Sequence, residues 1–238
     1  MIRRLPFVLV VAALGAALPA WGSEPEMTLI IRFGDSADAV RVMAVKASLS
    51  RIPGARVNAG GIAAQVDFEL ADWPELVIRP TEEPADWSGV QALAMPFDNP
   101  TAEPIDLVVR VDDGPHADAD RHSLTGRARV RSGDVGVLIL PLQATDALNM
   151  GMRAGPPPEA PRLDGPVRVI GGARGAVDRR HVMAIHLILL KRSSGRTLIL
   201  GDPGIIRGPI RSRGLQVDRR RLWAVHPRAL GWESRLRR

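Results

Sequence analysis

Apolar and polar residues alternate along most of this chain in short runs separated by Gly, Pro, Asn and Asp. That is the pattern of β-strands with one buried face. The clearest run is Gly61 to Leu70, which places Ile62, Ala64, Val66, Phe68 and Leu70 on one side. Strands are also predicted over Met27 to Phe33, Leu76 to Arg79, Val90 to Phe97, Ile105 to Val111, Leu124 to Val130 and Val135 to Leu142. Val40 to Leu49 fits a helix about as well as a strand, because Val42, Val45 and Leu49 satisfy both spacings. Met150 to Gly175 turns to Pro, Gly and Arg and reads as a long surface excursion, with Pro156-Pro157-Pro158 excluding helix. Val182 to Lys191 and Thr197 to Ile206 return as strands. With no convincing helical stretch, the spacing of strands and turns predicts an all-β sandwich.

Asp86 to Asp113 carries the densest information. Asp86-Trp87-Ser88-Gly89 opens a strand, Asp98-Asn99-Pro100 turns it, and a second strand runs through Arg110 into Asp112-Asp113. Trp87 is expected to cover the core. Together with His122 to Leu142, Gly151-Met152-Arg153, Ile185 to Leu189, Arg196 to Asp202 and Gly214 to Arg219, these segments resemble the galactose-binding-like, carbohydrate-binding-module-like domain that precedes the catalytic barrel of β-agarases. The similarity extends from about Leu29 to Arg219. It implies a jelly-roll β-sandwich, galactose-binding-domain-like, in which Asp202 braces a closing turn.

Composition refines this picture. Met1 to Gly22 has Arg3 and Arg4, an apolar run from Leu5 to Leu18 and small residues at Ala20 and Gly22, as a secretory signal peptide does. The apolar run is shorter than the roughly 20 residues that span a bilayer, so cleavage rather than a retained anchor is expected. The mature chain is then secreted or periplasmic, with no membrane association after cleavage. Residues 23–210 form the jelly-roll domain and residues 211–238 an arginine-rich C-terminal tail. The net charge of +6 owes much to that tail, through Arg211, Arg213, Arg219, Arg220, Arg221 and others. An arginine-rich terminal tail of this kind reads as a solvated tail rather than a phosphate reader, so no nucleic-acid partner is expected. Zero cysteine excludes disulfides and thiol chemistry.

The usual hydrolytic motifs are absent. There is no Gly-x-Ser-x-Gly elbow and no His-Glu-x-x-His helix. His181 and His186, five apart in a strand, face opposite sides. Glu69, Asp72, Glu75, Glu82 and Glu83 are placed in exposed turns rather than in a paired-carboxylate cleft. In agarases the acid and nucleophile belong to the barrel, so no catalytic residue is carried over by the resemblance. Asp67, Asp112, Asp118, Asp120 and Asp202 are oxygen donors that would suit a structural calcium ion. No Asp-x-Asp-x-Asp-Gly loop supports one, and neither a metal site nor a cofactor is assigned.

The expected activity is therefore binding. Sugars stack on aromatic rings and hydrogen-bond to planar polar side chains. The candidate ligand residues are Trp73 in its loop, Arg110 opposite Val109 and Val111, Asp112 and Asp113 at the strand end, His122 and Arg127 in the next strand, and Arg153, which matches the resemblance. The implied partner is a polysaccharide, galactan or agarose-like. The alternatives are a truncated N-terminal domain of an agarase-like glycoside hydrolase, or an exported sandwich that binds protein or envelope polymers. With aromatic residues at only 4% and no tyrosine, stacking platforms are few.

Overall fold

In the computed structural model, residues 26–53, 55–58, 61–118, 121–142, 166–170, 173–190 and 196–207 are described. The expected signal peptide, the arginine-rich tail and Arg153 lie outside them. Two β-sheets face each other, as the alternation predicted. The first contains β1 (Glu26–Leu29), β3 (Ala47–Pro53), β4 (Ile62–Phe68), β6 (Val90–Asp98), β9 (Val135–Pro141), β10 (Val167–Val169), β13 (Arg196–Leu200) and β14 (Gly204–Arg207). The second is ordered β11 (Arg174–Ala176), β8 (Ser123–Val130), β7 (Ile105–Asp112), β12 (Ala184–Leu189), β5 (Glu75–Ile78) and β2 (Val42–Val45). The described residues contain a single four-residue helix, α1 (Ser36–Ala39), capped by the Asp35 side chain.

Burial follows the period-two pattern. On the six-stranded sheet Leu76, Ile78, Leu107, Val109, Val111, Leu124, Ile185, Leu187 and Leu189 enter the core. Ala64, Val66, Phe68, Leu93, Met95, Phe97, Leu198 and Leu200 meet them from the other sheet. Trp87 joins this core at 3% exposure, as expected of a covering residue. Leu70 lies past the end of β4 and is exposed. The outside of the eight-stranded sheet is itself apolar: Ala92, Ala94, Val137, Ile139 and Ile206 pack there with Met27, Val167 and Val169.

Three expectations change. The ambiguous Val40–Leu49 run is two strands in different sheets, because Lys46 at φ 52° turns the chain from β2 into β3. The Thr197–Ile206 run is split into β13 and β14, which lie end to end along β6. Pro203 between them has no N–H for a ladder, and its carbonyl instead accepts from Ile30 N at 2.9 Å. Asp202 braces the break, its Oδ1 accepting from Phe33 N at 2.8 Å. Gly201 is required here, since a Cβ would sit 2.8 Å from Val57 O and 2.9 Å from Pro96 Cβ. Finally, the Met150–Gly175 excursion contains paired backbone at its end. β10 runs parallel to β9, and β11 forms the edge beside β8.

The Asp98-Asn99-Pro100 turn is held by a fully buried Asn99. Its Nδ2 donates to Glu103 O and Arg131 O at 2.9 Å, and its Oδ1 accepts from Thr101 N at 3.0 Å. Asp98 binds Arg56 through both oxygens, at 2.5 and 2.9 Å. Beyond this turn the chain enters β7, which lies between β8 and β12 in the six-stranded sheet.

Candidate functional site

Residues of the six-stranded sheet that alternate with the core set form its outer face. One row crosses all six strands, running Met43, Val77, His186, Arg110, Thr125, Arg174. At a strand spacing of about 4.8 Å it spans about 24 Å. The flanking rows place Glu75, Ile188, Val108 and Arg127 on one side and Ala184, Asp112, Ser123 and Ala176 on the other. The face grades from apolar, at Met43 and Val77, through a charged centre to arginines at the β8–β11 edge.

The centre is a hydrogen-bonded chain of four charged groups. Arg110 Nη2 donates to Asp112 Oδ2 at 2.9 Å. His186 places Nε2 3.1 Å from the same oxygen and Nδ1 3.1 Å from Glu75 Oε2. A carboxylate only accepts, so both contacts are satisfied together when both ring nitrogens carry protons. Burial opposes charge on His186, but the hydrogen bonds to Asp112 and Glu75 outweigh it and hold its pKa above the ordinary histidine value. The bond from His186 holds the Glu75 carboxyl below its ordinary range, against the effect of burial. The group is sheltered for an outward face, with side-chain exposures of 22% for Arg110, 6% for Asp112 and 14% for His186. Three buried atoms along it have no hydrogen-bond partner: Arg110 Nε, Asp112 Oδ1 and Thr125 Oγ1.

The structure brings together Arg110, Asp112 and Arg127 of the expected ligand residues, all on this face. Asp113 instead clips loops, its Oδ1 bonding His122 Nδ1 at 2.9 Å and its Oδ2 accepting from Asp178 N. His122 is not in the strand. It sits at φ 58° just before β8, where its carbonyl accepts from Asp113 N at 3.0 Å. Trp73, half exposed at φ 56°, lies in the loop entering β5, two residues before Glu75. Glu75 departs from its expected turn position, being the first residue of β5 and a partner of His186.

Sequence reasoning missed Glu75, His186, Thr125 and Arg174. A signal existed for His186, the lone polar residue in Ile185-His186-Leu187-Ile188-Leu189.

Among the described residues no group of three or more His, Cys, Asp or Glu is placed to hold a metal ion. Of the expected calcium donors, Asp67 bonds Thr197 and Gln65, and Asp202 holds Phe33 N. A concavity of about 550 Å3 lies away from the charged face, lined by Arg32, Asp35, Ser36, Asn58 and Asp202 among others. There Asp35 caps α1, Asn58 Nδ2 donates to Ile62 O at 3.1 Å and to Asp202 Oδ2 at 3.4 Å, and none of the expected ligand residues lines it. The charged face is therefore the stronger candidate, and it is a surface rather than a pocket. Among the described residues no helix is long and apolar enough to cross a membrane.

No protein-family model and no curated protein matches the sequence. Solved structures do. An exo-β-agarase superposes with a TM-score of 0.60 at 16% identity, over 81% of this chain and 26% of that one. A second agarase gives 0.57 at 11% identity, over 77% and 25%. The family 11 carbohydrate-binding module from Clostridium thermocellum, in complex with a β-1,3-1,4-mixed-linked tetrasaccharide, gives 0.50 at 12% identity, over 79% of this chain and 98% of the module. The chain thus spans about a quarter of the agarase chains and nearly a whole module. Its fold is the jelly-roll sandwich of these carbohydrate-binding-module-like domains.

Proposed function

We propose that this chain is a non-catalytic carbohydrate-binding module, which presents the outer face of its six-stranded sheet to a galactan or agarose-like polysaccharide. The observation that carries this reading is the sheltered Arg110–Asp112–His186–Glu75 chain, strand-borne and prearranged on a fold shared with glycan-binding modules. Planar charged groups fixed by one another lose little freedom when they bind hydroxyls, and charge-assisted bonds are the stronger ones. Sugar stacking falls to Trp73, the half-exposed ring two residues before Glu75.

The same geometry does not fit Glu75 to the role of a glycosidic general acid. A glycosidic general acid needs a carboxyl of raised pKa, whereas Glu75 is held low by His186. The agarase likeness favours one further reading, that the domain serves as the N-terminal part of an agarase-like enzyme and walls one side of its cleft.

Affinity electrophoresis through gels containing agarose or galactan tests the proposal. The protein is expected to be retarded, and Arg110→Ala to migrate freely while keeping its circular-dichroism spectrum. Unretarded wild-type protein, or new reducing ends released from agarose by the purified chain, would contradict it. The enzyme-domain reading is tested separately, by whether retardation appears only when a barrel domain is supplied.

A further inference from the structure

On the binding face, every carboxylate already has a cationic partner. Asp106 faces Arg129 at 3.7 Å, Asp112 takes Arg110 and His186, and Glu75 takes His186. Arg127 and Arg174 are left over. Both are exposed, and neither makes an ion pair among the described residues. The register makes them diagonal neighbours, because Arg174 lies opposite Thr125 and Arg127 is two residues further along β8. With His186 protonated, Arg110, Arg127, Arg129, Arg174 and His186 oppose Glu75, Asp106 and Asp112, an excess of two positive charges concentrated at one edge.

That edge adjoins unmet hydrogen-bonding capacity. Thr125 lies between Arg110 and Arg174 in the cross-strand row, and Thr125 Oγ1 and Arg110 Nε are both buried without a partner. Beside these two donors, which are closed to solvent, lie the exposed guanidiniums of Arg127 and Arg174, without an ion pair among the described residues and with a fork that matches the oxygens of sulfate or carboxylate.

Resting on the binding function proposed above, we infer that the preferred ligand is an acidic polysaccharide, bearing sulfate or uronate groups that seat against Arg127 and Arg174. The neutral hydroxyls of the chain lie over Arg110, Asp112 and His186. The apolar end at Val77 and Met43 underlies the opposite end of the glycan.

Isothermal titration of the full chain at 150 mM salt tests this with agarose, a sulfated galactan, polygalacturonate and single-stranded DNA as probes. The inference expects at least one acidic glycan to bind about tenfold more tightly than agarose, and DNA to bind no better than agarose. The ratio of acidic glycan to agarose affinity should fall to near one in R127Q/R174Q. It should persist when Arg219, Arg220 and Arg221 are changed to Gln. Equal affinity for agarose and both acidic glycans overturns the inference and leaves the binding function standing. A preference that disappears with the tail arginines, or is matched by DNA, also overturns it. Binding to none of the glycans overturns the binding function itself.

Discussion

Replacing His186 with Gln should destabilise the domain most at mildly acid pH and progressively less as pH rises. The imidazolium bridges two carboxylates, at 3.1 Å from each, on a face where Asp112 is nearly closed to water. Removing one partner of a fully buried charge set costs about 3–5 kcal/mol. Here Glu75 keeps a quarter of its side-chain surface exposed and Arg110 still holds Asp112. The expected loss is therefore nearer to one or two charge-assisted hydrogen bonds, about 2 kcal/mol. The pKa of His186 is raised in the folded state. Its contribution is thus complete below the unfolded histidine value of about 6.5 and fades as pH climbs through the folded value. Glu75 is lowered, so its contribution is complete above the unfolded value of about 4.3 and fades as pH falls through the folded one. Urea denaturation of wild type and H186Q at pH 5.5, 7 and 9 reads the difference. The gap between them should shrink from about 2 kcal/mol toward zero across that series. A gap that is constant or grows with pH would falsify the bridging role of the imidazolium.

The frame around the face offers further tests. Gly201→Ala forces a Cβ to 2.8 Å from Val57 O and 2.9 Å from Pro96 Cβ, and thermal denaturation should show a loss of about 1–3 kcal/mol. Asn99→Ala leaves the carbonyls of Glu103 and Arg131 without their buried donor; a loss of about 2–3 kcal/mol is expected by chemical denaturation. Trp87→Ala opens the core at a residue 3% exposed and should cost about 3–5 kcal/mol. Trp73→Ala, at a half-exposed position, should weaken retardation in agarose gels while the circular-dichroism spectrum stays that of the folded domain.

The sequence shows most clearly those features that depend on a residue and its immediate neighbours. Alternation in Ile62 to Phe68 and Ile105 to Asp112 marks strands whose buried face is the core, and it correctly turned Arg110 away from Val109 and Val111. Burial of Trp87 follows from an indole placed just before an apolar strand. What stayed hidden depends on partners distant in the chain. Glu75 reads as a turn carboxylate because Trp73-Pro74 precedes it, and its strand identity comes from pairing with Ile188 and Val45. His186 becomes notable only once β12 lies beside both β5 and β7. Arg174 sits in a Gly- and Arg-rich stretch without alternation, and the edge of β8 alone makes it a strand residue. Lys46 shows the converse: local spacing fits one continuous element, while the change of sheet demands a left-handed corner.

Titrating the isotopically labelled protein with a galactan oligosaccharide, while following its backbone amide resonances, reads directly whether the outer face of the six-stranded sheet binds glycan. Shifts should concentrate on Val108 to Asp112, Ser123 to Arg127 and Ala184 to Ile188, in three neighbouring strands of the five that carry charged residues on this face. Shifts confined to Ala92, Val137 and Ile206 on the opposite sheet, or to Asn58 and Asp202 in the concavity, would contradict it.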